Sequence, residues 1–186
     1  MKTKLILASL ALLIASTAGA ENEIPGPRVG DVFPHKLEAP DQNGTMQSLA
    51  GLYGEKGAAV FFVRSADWCP FCKRQLVDVN SRLSEFEALG LNVITVSVDE
   101  VPLIKKFADQ QDVGYTMLSD PKGDINEVLG IRDPQYPVGS AAFGVPRPVI
   151  YIIDRSGTIR ARYMEPTYQT RPDLNVVLAD VKALGL

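Results

Sequence analysis

The sequence predicts an α/β fold in which helices flank a mixed central β-sheet and a short β-hairpin precedes it. Two observations lead there. Apolar, β-prone runs at 58–63, 91–98 and 148–154 are separated by segments whose apolar residues recur every three or four positions. Strands alternating with such helices build βαβ units. The last run is followed by Arg155-Ser156-Gly157 and a return strand at 158–163, a hairpin that makes the sheet partly antiparallel. The 186 residues suffice for one domain with a sizeable core. They hold no internal repeat and no low-complexity stretch.

Residues 1–20 read as a secretory signal peptide. Lys2 and Lys4 are followed by an apolar run, Leu5 to Ile14, too short to span a bilayer, and by Ala18-Gly19-Ala20 as a cleavage site. Cleavage after Ala20 removes two lysines and makes the formal net charge of −3 two units more negative. A mildly acidic chain with no basic run predicts no nucleic-acid partner. No other segment is long and apolar enough to span a membrane, so no membrane contact is expected once the signal is gone. Export predicts a periplasmic or secreted location, where disulfides persist.

Residues 21–27 form a flexible lead-in and 28–186 the domain. Asp41-Gln42-Asn43-Gly44 is a turn signal between short strands at 36–39 and 45–49. After strand 58–63, Leu76, Val79, Leu83 and Phe86 mark the buried face of one helix, which Gly90 ends. Strand 91–98 follows. Pro102 opens a helix to about Gln110, with Leu103, Ile104 and Phe107 inward. A strand at 115–118, a turn at 120–123 and a short helix at 125–129 lead to a Pro/Gly-rich loop, 132–143. The final helix opens at Pro172 and buries Leu174, Val177, Val181 and Leu184.

The only two cysteines, Cys69 and Cys72, lie in Trp68-Cys69-Pro70-Phe71-Cys72, between a strand and a helix. One pair closing so small a loop restrains the unfolded chain very little. Its spacing therefore points to chemistry rather than structure. Unpaired N–H groups and the macrodipole at a helix N-terminus favour an anion, and such placement lowers a thiol's pKa. Pro70 pre-sets the first helical turn and has no N–H to leave unpaired. Lys73 and Arg74 bring positive charge nearby, and Trp68 offers a docking surface.

This turn resembles the active site of the thioredoxin superfamily. Gly30-Asp31 with Pro34, Asn43-Gly44, and the stretch Arg147-Pro148-Val149-Ile150-Tyr151-Ile152-Ile153-Asp154-Arg155-Ser156-Gly157 resemble its peroxiredoxin (AhpC/TSA, redoxin) and TlpA-like branch. The resemblance covers about residues 28–186 and implies a thioredoxin-like fold. It also implies a cis-proline at Pro148, facing the cysteines and exposing the backbone of Arg147 to a substrate strand. Pro146 leaves the following strand too long for that role. The segment from Tyr168 to Pro172 is similar to redoxin-like exported proteins, and no role is assigned to it.

Two chemistries lie within the resemblance. In the first, favoured here, the chain is an exported thiol–disulfide oxidoreductase. Cys69, at the exposed start of the helix, attacks a partner disulfide, and Cys72 resolves the mixed disulfide, leaving a Cys69–Cys72 redox disulfide. Its partners are protein thiols and disulfides and an upstream redox protein. In the second, the chain is a peroxidase acting on peroxides. The peroxiredoxin pattern puts a Pro at Ser65, a Thr or Ser at Cys69 and the peroxidatic cysteine at Cys72. Cys69 then resolves a sulfenic acid on Cys72, and Arg147 polarises the peroxide. No cofactor and no metal are expected. A zinc site takes about four ligands, and the chain offers two Cys and His35. Covalent haem attachment needs a His where Lys73 stands. Sco-type copper chaperones use a Cys-X-X-X-Cys spacing. A metal-binding or chaperone-like redoxin is the non-enzyme alternative.

Overall fold

The computed structural model describes residues 25–34 and 36–186. The expected signal peptide, the first four residues of the lead-in and His35 lie outside the described residues. The central sheet has the order β5-β4-β3-β6-β7. Its strands are β3 (Gly57–Phe62), β4 (Leu91–Ser97), β5 (Thr116–Ser119), β6 (Val149–Asp154) and β7 (Ile159–Met164). β3 pairs parallel with β4, with Val60 beside Ile94, and antiparallel with β6, with Val60 beside Tyr151. The sheet is therefore mixed, as expected, and β7 returns antiparallel to β6 with an irregularity at Ile152/Ile153. The hairpin expected near the N-terminus forms a separate two-stranded sheet, β1 (Glu38–Pro40) with β2 (Met46–Ser48).

Strand periodicity divides the core into two layers. From β3, Ala59 and Phe61 face a layer built with the helices α1 (Pro70–Ser81), α2 (Leu83–Ala88), α3 (Val101–Gln111) and α5 (Leu174–Leu184). Ala58, Val60 and Phe62 face the other, which holds Leu37 and Ala39 of the hairpin region and Ile125 of α4 (Asp124–Val128). β3 is buried along its whole length. The loop that carries the cysteines leaves the C-terminal end of this central strand.

Three local expectations change. The helix read as continuous to Gly90 breaks at Arg82, whose N–H turns back to Val79 O three residues earlier (3.1 Å) while Ser81 Oγ donates to Asp78 O (2.7 Å). Such tight bonds compete with the α-helical ladder. The last helix begins at Leu174 rather than Pro172, because the Asp173 carboxylate caps it by accepting from Asn175 N (2.8 Å). The loop at 132–143 is pinned to the body. Asp133 N donates to Val145 O (2.8 Å) and Asn126 Nδ2 to Gly144 O (3.0 Å). Gly123 and Gly144, both at positive φ, pack back to back where a Cβ on either meets the other's backbone.

Candidate active site

Beyond β3, Val63 N still bonds Val96 O (2.9 Å). The chain then turns sharply through Arg64-Ser65-Ala66-Asp67-Trp68. A buried carboxylate at the end of β4, Asp99, holds this turn. Its Oδ1 accepts from Ser65 Oγ (2.6 Å) and its Oδ2 from Ala66 N (2.6 Å) and Ser97 Oγ (2.8 Å). Ser65 Oγ in turn accepts from the N–H groups of Asp67 (2.9 Å) and Trp68 (3.0 Å). The Asp99 carbonyl is itself fixed by Ser119 Oγ (2.7 Å). The chain thus reaches α1 with Cys69 as its N-cap and Pro70 in the first turn.

Cys69 and Cys72 are joined in a disulfide, with Cα atoms 5.2 Å apart. Cys69 Sγ accepts from Cys72 N (3.3 Å), so one sulfur satisfies an N–H at the helix start. The expected exposure of Cys69 is not found: it is 2% exposed and Cys72 is 0% exposed. Trp68 beside them is 46% exposed, as a docking surface requires.

Two distant segments reach this turn. Tyr168, between β7 and α5, stacks on the Arg64 guanidinium at 4.1 Å and meets Phe71 edge-on at 6.0 Å. Tyr136, from the pinned loop, lies 4.7 Å from the same guanidinium and Trp68 5.3 Å. Arg64 is 4% exposed, and its Nε has no hydrogen-bond partner among the described residues. Arg171, from the same strap as Tyr168, donates from Nη2 to Cys72 Sγ (3.3 Å) and from Nε to Gln75 Oε1 (2.8 Å). Its Nη1 bonds the carbonyls of Tyr168 and Thr170. Burial, and then the positive charges of Arg64 and Arg74, push the Arg171 pKa down to about 10. Three guanidinium groups therefore gather at this turn, and Arg171 is the one that touches the disulfide. Sequence reasoning assigned no role to Arg64, Asp99, Tyr136, Tyr168 or Arg171.

The strap makes a testable barrier. Tyr168→Ala removes one face of the Arg64 box and the contact with Phe71, about 1–2 kcal/mol of closure. Reduction of the disulfide by dithiothreitol is expected to run about tenfold faster in this variant, followed by release of thiols.

A family model, AhpC/TSA, matches residues 29–162. The chain belongs to the AhpC/TSA family. The Escherichia coli (strain K12) protein named Peroxiredoxin Bcp is 26% identical over 132 residues, covering 71% of this chain and 82% of that protein. Peroxiredoxin bcp1 of Schizosaccharomyces pombe is 33% identical over 107 residues, 58% of this chain and 54% of that one. Among solved structures, Peroxidoxin BcpB from Mycobacterium tuberculosis superposes with a TM-score of 0.72 at 22% identity, covering 83% of this chain and 96% of that one. That likeness shows the thioredoxin-like fold. As an AhpC/TSA protein, the chain is a thiol-dependent oxidoreductase.

Two expectations drawn from the wider superfamily do not hold for this AhpC/TSA member. Pro148 is trans, since no peptide bond among the described residues is cis. It stands just before β6, where a missing N–H breaks no sheet hydrogen bond. The N–H of Arg147, expected free for a substrate strand, is already bonded to Ile131 O (2.8 Å). Arg147 and Pro148 line a cavity of about 600 Å³ with Asp133 and Gln135, and neither cysteine lines it. Tyr168 stands between this cavity and Arg64. The arginine on the Cys72 sulfur is Arg171. Among the described residues no three Cys, His, Asp or Glu side chains gather as a metal site, and no helix is long and apolar enough to cross a membrane.

Proposed function

We propose that this chain is an exported thiol-dependent peroxidase in which Cys72 attacks the peroxide and Cys69 resolves it. The observation that carries this reading is the Cys69–Cys72 disulfide itself. It joins the sulfur at the place of the family's nucleophile to a sulfur that stands where the family pattern has a hydroxyl. The relatives' names, peroxiredoxins, support the same chemistry. Export rests on the sequence of residues 1–20.

The steps balance as follows. The Cys72 thiolate attacks the distal peroxide oxygen, the O–O bond breaks, and the leaving alkoxide or hydroxide takes up the proton that the Cys72 thiol had released, giving alcohol or water and a Cys72 sulfenic acid. The Cys69 thiol attacks that sulfur, water leaves, and the disulfide forms. An external dithiol then reduces the disulfide and is itself oxidised.

A second reading keeps a specific observation in its favour. Cys69 Sγ receives the N–H at the helix start, the placement that activates the leading thiol of a disulfide exchanger. Trp68, the only tryptophan, separates the two readings. Mixing reduced protein with one equivalent of hydrogen peroxide is expected to change its emission in step with peroxide loss and disulfide formation. A dithiol that stays reduced in excess peroxide while exchanging readily with protein disulfides would overturn the peroxidase.

A further inference from the structure

We infer that Arg171 is a catalytic residue that holds Cys72 as a thiolate and thereby makes the Cys69–Cys72 disulfide an oxidising one. This deepens the peroxidase reading, by naming which sulfur is activated and which way the pair is poised. Its test uses no peroxide, so it stands or falls separately.

The argument begins with charge. Arg171 Nη2 lies 3.3 Å from Cys72 Sγ, in a part-buried contact. The charges that act most strongly on Arg171 are Arg64, from the turn after β3, and Arg74, from α1, and both are positive. Among the described residues none of the three arginines forms an ion pair with a carboxylate. Arg74 lies over the Phe71 ring at 4.9 Å and Arg64 inside its aromatic box. Lys73, next to Cys72 on α1, is a fourth cation in the neighbourhood. Asp78 is the one carboxylate that lines the groove beside Arg171 and Arg74. A part-buried guanidinium whose strongest charged neighbours are cations gains from an anion brought into contact with it. The disulfide sulfur is neutral. The anion appears on reduction: the S–S bond breaks, two electrons and one proton enter, Cys69 becomes a thiol and Cys72 a thiolate facing Arg171. The electrons come from an external dithiol, which becomes a disulfide.

Two consequences follow from this one pair. The charge-assisted bond exists only in the reduced protein, so it stabilises that state and raises the reduction potential, as any stabilisation of a reduced dithiol does. It also selects Cys72 over Cys69 as the ionised sulfur, because the guanidinium touches Cys72 and the helix-start N–H touches Cys69. The guanidinium brings a full positive charge to its sulfur, the helix start only a partial one.

Two measurements test the assignment. Ionisation of Cys72 is read from the pH dependence of iodoacetamide alkylation in the Cys69→Ser background, and the dithiol–disulfide equilibrium from a dithiothreitol redox buffer with both cysteines present. Arg171→Gln is expected to weaken Cys72 ionisation about tenfold. It is also expected to shift the equilibrium about tenfold toward the disulfide, roughly 30 mV more reducing. Arg171→Lys keeps the charge but loses the bonds to Gln75 and to the strap carbonyls. If the charge is what matters, it recovers most of both effects. If Arg171 only braces the strap, Arg171→Lys matches Arg171→Gln and the assignment fails. It fails equally if Arg171→Gln leaves either quantity within twofold of the parent.

Discussion

Cys72→Ser is expected to lower peroxide consumption at least about a thousandfold, whereas Cys69→Ser completes one turnover and stalls as a Cys72 sulfenic acid. The asymmetry follows from where each sulfur sits. Cys72 is fully buried and faces a guanidinium, so it is the sulfur best held as an anion. Cys69 caps the helix and lies within bonding distance of Cys72, so it condenses with an oxidised Cys72 without rearrangement of α1. The stalled sulfenic acid on the buried Cys72 is detected by dimedone present as the protein is unfolded, followed by mass spectrometry. The opposite pattern identifies the exchanger: no sulfenic acid in Cys69→Ser, and a trapped mixed disulfide on Cys69 in Cys72→Ser.

Local features of the site are legible in the sequence, and long-range ones are not. Pro70 in the first turn, the strand before Cys69 and the helix after Cys72 each follow from neighbouring residues, and the structure has all three. The sheet's mixed character follows from Arg155-Ser156-Gly157, a turn with no helix behind it. Arg171 acts on Cys72 across 99 residues and Asp99 on Ser65 across 34. No period or turn rule spans such gaps. A signal for Asp99 was nonetheless present. Where the peroxiredoxin pattern has a proline this chain has Ser65, and a serine buried there needs an acceptor close by. The strand at 91–98 ends on that acceptor, Asp99. Arg64 was hidden for another reason. It interrupts an apolar run with a charge, and its partners are rings rather than carboxylates. Arg147 shows the converse limit. It stands at the matching place in the motif, yet its side chain borders a cavity that neither cysteine lines.

Asp99→Ala is expected to cost about 3–4 kcal/mol of folding stability and to disorder the approach to Cys69. Three donors lose their acceptor at once: Ser65 Oγ, Ala66 N and Ser97 Oγ. All three belong to buried residues. Each buried donor left unpaired costs about 1–3 kcal/mol, and water entering the gap offsets part of the sum. Asp99→Asn separates charge from shape. Its oxygen still serves Ala66 N and Ser97 Oγ. Its amide then faces Ser65 Oγ, which already accepts from Asp67 and Trp68, so the hydroxyl proton has nowhere to go. About half the loss of the alanine variant is expected there. Urea unfolding gives both values, with the midpoint falling and the slope unchanged if only the native state is weakened. The functional consequence is separable, because the Ser65 hydroxyl organises the N–H groups just ahead of Cys69. Below the onset of unfolding, Asp99→Ala is expected to form the Cys69–Cys72 disulfide about tenfold more slowly after peroxide attack, as a small misplacement of reacting atoms does. An unfolding free energy within about 0.5 kcal/mol of the parent, the range of ordinary surface changes, would mean that the turn is held by its covalent geometry and not by this carboxylate.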